Sequence, residues 1–220
     1  MKKTGYSVIG AFVMLFLIAC NLTINKTVRI ADGTKSRGVN TVNGGIIIGD
    51  NCEVRGECRS VNGQIEMGRN SSVEELQTVN GRIRIDEDSV VDHDVESVNG
   101  SVRCLSGVEI QGGIHTINGK IKLEKTRVHR NITTINGNIS LRERCVVRGD
   151  IIVKKTKGHS SSIRKLRIEL SGGSVVHGDI LVNENDIEVE VFISDDSKVQ
   201  GRIENAEVIE DSGRKAEEGI

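Results

Sequence analysis

The chain has 220 residues and a formal net charge of −1, with 25 glycines, no proline and no tryptophan. Tyr6, Phe12 and Phe16 lie near the amino terminus, which leaves Phe192 as the one aromatic residue beyond it. Balanced charge without aromatic platforms argues against a nucleic-acid binder. A core limited to Val, Ile and Leu suits thin repeated layers better than a globule.

At the start, Met1, Lys2 and Lys3 form a short positive segment, and an apolar run follows over positions 8–19. The run is too short for a good spanning helix. It ends in Leu17-Ile18-Ala19-Cys20, which resembles the lipobox of bacterial lipoproteins. That resemblance implies a signal peptide over 1–19, cleavage before Cys20, and acylation of Cys20 on its thiol and new amino group. Three acyl chains exceed the two membrane signals that stable anchoring requires. Asn21 stands where an aspartate would retain such a protein in the inner membrane, so the resemblance favours the outer membrane. Positions 20–40 are expected to be a lipid anchor with an amino-terminal cap or linker, in which 22–25 and 28–30 alternate like strands.

From Thr41 one motif recurs: Thr41-Val42-Asn43-Gly44, Ser60-Val61-Asn62-Gly63, Thr78-Val79-Asn80-Gly81, Ser97-Val98-Asn99-Gly100, Thr116-Ile117-Asn118-Gly119 and Thr134-Ile135-Asn136-Gly137. Successive asparagines are 19, 18, 19, 19 and 18 residues apart. A fixed period of this length signals a stacked architecture. Within a repeat the apolar positions alternate with period two. Ile46, Ile65, Ile83, Val102, Ile121 and Ile139 follow the asparagine by three, and Ile48, Met67, Ile85, Cys104, Leu123 and Leu141 by five. Cys58, Leu76, Val95, Ile114 and Ile132 precede it by four, and Val54, Val91, Ile110 and Val128 by eight. Three short inward-facing strands per repeat predict an all-β, single-stranded, three-sided β-solenoid over 41–210, expected to be right-handed, with about 18–19 residues per turn.

Asn43, Asn62, Asn80, Asn99, Asn118 and Asn136 are expected to form a structural turn ladder of stacked amides. Asn-Gly also marks bends at which positive φ is tolerated. The alternative, a row of ligands for a cation or sugar, lacks an accompanying carboxylate column.

Further along, Val147-Arg148-Gly149-Asp150-Ile151 resumes the stack without an asparagine. A basic, Gly/Ser-rich insertion over 153–165 reads as a loop. Leu166-Arg167-Ile168-Glu169-Leu170 alternates as a strand, and Val176-His177-Gly178-Asp179-Ile180 and Val199-Gln200-Gly201-Arg202-Ile203 return at wider spacing. Residues 211–220 read as a polar, disordered tail. The Val-x-Gly-x-Ile form with its stacked apolar positions resembles the bactofilins, polymer-forming bacterial β-helix proteins. The Thr-Val-Asn-Gly copies resemble more closely exported proteobacterial proteins of the same layout. Both resemblances, over about 38–210, imply architecture and self-association rather than an activity.

Little catalytic chemistry is legible. Cys58 and Cys104 fall in different inward columns, whereas Cys52 and Cys145 share a column five turns apart; only a Cys52–Cys58 bridge is conceivable. The histidines share no column. Asp92-His93-Asp94 is the densest local cluster and reads as a solvated bend, as does Asp86-Glu87-Asp88. Arg82, Arg84, Arg103, Lys120 and Lys122 suggest either a solvated sheet face or a basic stripe for envelope phosphates or carboxylates.

No cofactor and no metal are expected. The expected partners are membrane lipid through Cys20 and an envelope polysaccharide or protein. The expected state is a monomer or small oligomer, with a polymer the alternative. The reading favoured by these residues is a non-enzymatic, lipid-anchored structural or interaction protein of the cell envelope. A polysaccharide-binding or polysaccharide-cleaving β-helix protein is the alternative, and a surface-binding face on the Thr/Ser column comes third.

Overall fold

The computed structural model describes residues 22–155, 164–183 and 187–210. All regular structure among them is β-strand, and every strand pairing is parallel. The chain winds as a β-solenoid, each turn laying its strands on the equivalent strands of the turn before. One central turn shows the plan: Val90–Val91 on a first face, Val95–Ser97 on a second and Val102–Cys104 on a third. The third face is a ten-stranded sheet, and the first two merge into one sixteen-stranded sheet. They merge because Lys35–Thr41, Glu53–Ser60 and Ser72–Thr78 run unbroken across the corner that later turns break.

Alternation explains the core. In each short strand the flanking residues point inward and the middle one outward, so Val95, Ile114, Ile132, Ile151 and Ile180 stack in register down the axis. All the inward positions read from the repeat are buried, from Ile46 through Leu141. Branched aliphatic side chains of similar size fill a narrow prism without aromatics.

The coil begins before Thr41. Leu22–Thr23 pairs with Asn40 and Thr41, and Val28–Ile30 pairs with Ile46, Ile47 and Ile48, so 22–40 is a full first turn. The 153–165 insertion is also shorter than its sequence limits: Arg164 and Lys165 already belong to the strand Arg164–Leu170. Residues 156–163, the expected signal over 1–19, Cys20 and the expected tail over 211–220 lie outside the described residues. Extra residues in the wide turns enter at the corner between the second and third faces, where earlier turns place Asn-Gly. There the turn-to-turn step grows from 18 or 19 residues to 29 and then 23. In return, the third-face strands lengthen to seven residues, Arg164–Leu170 and Ile187–Ile193.

Candidate functional site

The asparagines form the expected ladder. Each side-chain amide donates to the asparagine of the preceding turn: Asn62 to Asn43 at 2.9 Å, Asn80 to Asn62 at 2.8 Å, Asn99 to Asn80 at 2.9 Å, Asn118 to Asn99 at 2.9 Å and Asn136 to Asn118 at 2.8 Å. Asn43 itself donates to Asn25 at 2.8 Å. Asn25 is a rung that the motif hides, because Lys26 follows it instead of glycine.

The bend works differently from the sequence expectation. Among the repeat asparagines and their glycines none has positive φ; Asn25 alone of the rungs does, at 57°. The glycine is required by close approach. A Cβ on Gly100 would sit 1.7 Å from the carbonyl oxygen of Gly81, and one on Gly63 2.0 Å from that of Gly44. Left-handed backbone instead lines the corner from third to first face, at Asn51, Asn70, Asp88, Gly107 and Lys125.

The Thr/Ser column faces inward. Thr41, Ser60, Thr78, Ser97, Thr116 and Thr134 are all buried. Ser60 and Thr78 donate their hydroxyls to the backbone carbonyls of Gly44 and Gly63, at 2.9 and 3.1 Å. These hydroxyls satisfy the bend and present no face to a surface or crystal.

On the third face Arg84, Arg103 and Lys122 stack in register. Arg84 pairs with Asp86 at 2.7 Å and Arg103 with Glu124 at 3.1 Å, so acidic neighbours interrupt the basic stripe. An open depression beside it is lined by Asp50, Glu66, Arg84 and Asp86. Arg167 lies 4.1 Å over the ring of Phe192.

Cys52, Cys58, Cys104 and Cys145 are free and buried. Burial pushes the Cys58 thiol up to about 12 and raises those of Cys104 and Cys145. Cys52 and Cys145 occupy a corner column in which an inward side chain accepts the backbone N–H of the turn before: Ser71 takes Cys52 N–H at 3.0 Å, and Ser174 takes Cys145 N–H at 3.2 Å.

The densest constellation of ionisable groups lies on the second face. Asp94, Glu96 and His115 each offer one ligand atom within 4.8 Å of the others. Glu96 and His115 are paired neighbours on adjacent strands. Asp94 uses one carboxylate oxygen to accept the Gly113 backbone N–H at 2.7 Å, and its other oxygen lies 3.9 Å from His115 Nε2. The imidazole leans over Gly113, where a Cβ would come within 3.1 Å of Nε2. Glu75 stands one turn earlier and accepts from Gln77, which is paired with Glu96. Burial raises the carboxyls of Glu75 and Glu96 above the ordinary glutamate value, and neighbouring carboxylates push the same way. Burial lowers the His115 imidazole, against the pull of Asp94.

This cluster joins a histidine with carboxylates that no column of the repeat lines up. The densest run in sequence, Asp92-His93-Asp94, divides: Asp92 and His93 are exposed, and Asp94 joins Glu96 of the strand it precedes and His115 of the next turn. A shared position within the 19-residue step would have linked Glu96 to His115. A search for one residue type per column misses such a mixed pair. Comparison with protein-family models, with curated proteins and with solved structures finds no match for the chain.

Proposed function

We propose that the chain is a non-enzymatic, lipid-anchored structural or interaction protein of the bacterial cell envelope, exported and acylated at Cys20. Its β-solenoid is consistent with the bactofilin-like proteins it resembles, and the lipobox resemblance supplies the address, with the outer membrane favoured. The observation that carries the reading is that the first described strand begins at Leu22, two residues after the proposed lipidation position. An acyl anchor there would leave almost no tether, so the stack would stand on the membrane by its amino-terminal turn. A protein built to present a rigid body at a fixed distance has that layout.

The last described strands, Ile203–Glu204 and Glu207–Glu210, carry Glu204, Glu207 and Glu210, all exposed. Charges there discourage edge pairing, which supports a monomer or small oligomer over a polymer. Metabolic labelling with palmitate tests the anchor: wild-type chain takes up label and stays with membranes, and Cys20→Ala does neither. Label retained on Cys20→Ala refutes the anchor.

The alternative of a polysaccharide-binding or polysaccharide-cleaving envelope protein draws on the half-buried carboxyls of Glu75 and Glu96, both raised above the ordinary glutamate value by burial, since sugar cleavage uses a pair of carboxyl groups of which one acts as acid. Release of reducing ends from envelope polysaccharide by the wild type, and not by Glu96→Gln, would establish it.

A further inference from the structure

We propose that Asp94, Glu96 and His115 form a binding site for a first-row transition-metal dication, with zinc the natural occupant. The three donors converge from two consecutive turns, so the site exists only when the solenoid is stacked. One imidazole nitrogen and two carboxylate oxygens are a donor set suited to zinc and its neighbours; calcium and magnesium prefer oxygen alone. Zinc sits about 2.0–2.2 Å from such ligands. Donor atoms already within 4.8 Å of each other reach that geometry by side-chain rotation on a fixed backbone.

Three features prepare the site. Asp94 is oriented by the Gly113 N–H, which occupies one oxygen and leaves the other turned towards His115. The absence of a side chain at Gly113 gives the imidazole room to lie across it. The local charge is also unbalanced. Arg59 pairs with Glu57 and its charge also acts on Glu75 and Glu96, yet burial and the surrounding carboxylates outweigh it there. A dication neutralises carboxylates that otherwise repel one another on a half-buried face. Asp94, Glu96 and His115 are each partly exposed, so water would complete the coordination. The proposal is independent of the envelope role.

The test uses full-length chain in detergent, freed of metal by chelator. Titration calorimetry with zinc is expected to show one equivalent bound, with the unfolding midpoint rising as zinc is added. Glu96→Gln and His115→Gln should each weaken binding by about 10–100-fold or more, and His93→Gln should leave it unchanged. Glu96→Gln is isosteric and removes a repelling charge, so loss of folding is not expected from it. Cobalt in place of zinc should show ligand-field absorption without thiolate charge-transfer bands. No binding, binding indifferent to Glu96 and His115, or thiolate bands from the cysteines would each overturn the site.

Discussion

Asn99 donates its side-chain amide to Asn80 at 2.9 Å, one turn below, while its own oxygen accepts from Asn118 at the same distance. Each internal rung is thus both donor and acceptor, and removing one leaves two neighbours short of a partner.

Asn99→Leu is therefore expected to destabilise the fold by about 1–3 kcal/mol. Arg103→Ser, which loses only an exposed pair with Glu124, should cost about 0.5 kcal/mol or less. Denaturant midpoints of the two variants check this, and equal shifts would refute the ladder's contribution.

Two glycines separate close approach from left-handed backbone. Gly100→Ala forces a Cβ to 1.7 Å from the backbone oxygen of Gly81, so a cost of about 3 kcal/mol or more is expected. Gly33→Ala meets open space at φ 69° and should cost about 1–2 kcal/mol. Thermal unfolding of both variants would rank them, and the reverse order would contradict the packed corner.

The four body cysteines should be silent to thiol reagents in the native state. They are buried, and burial holds Cys58, Cys104 and Cys145 as neutral thiols, whereas the thiolate is the reactive form. In Cys20→Ala protein, maleimide mass labelling should count none before unfolding and four after it. Rapid native labelling, or a Cys52–Cys58 disulfide on the mass map, would count against this packing.

The acidic face gives a pH signature in metal-free protein. Glu96 has a folded pKa raised above its ordinary 4.5, so its contribution is fully present below that value and is lost as pH rises through the raised one. His115 has a lowered folded pKa, so its contribution is present above 6.5 and is lost as pH falls through the depressed one. Glu96→Gln should therefore stabilise the metal-free fold at neutral pH, by up to about 1 kcal/mol, and have no effect well below pH 4.5. Saturating zinc should reverse the order of the two proteins at neutral pH. Unfolding curves at several pH values, with and without zinc, check both statements.

The solenoid and its inward columns were legible because a period near 19 residues and a period of two are carried by many residues at once. The ladder was legible from Asn43 to Asn136 but not at Asn25, where Lys26 breaks the motif while the register continues. Three features were hidden for physical reasons. The role of the Asn-Gly glycines depends on a carbonyl one turn away. The inward direction of the Thr/Ser column depends on where the bend falls. The Asp94–Glu96–His115 cluster depends on lateral pairing between unlike residues.

The asparagine ladder also has a direction. Backbone hydrogen bonds between turns run both ways: Asn62 N–H points down to Val42, and Ile65 N–H points up to Arg82. Their dipoles largely cancel, as in other sheets. The side-chain amides do not alternate, since every rung from Asn43 to Asn136 aims its hydrogen at the turn before. The hydroxyls of Ser60, Thr78 and Ser97 point the same way. These small dipoles add along the axis, with the positive pole at the amino-terminal turn. The rod is electrically polar even where its sequence repeats, so a second copy stacked head to tail would extend the field and one stacked head to head would oppose it.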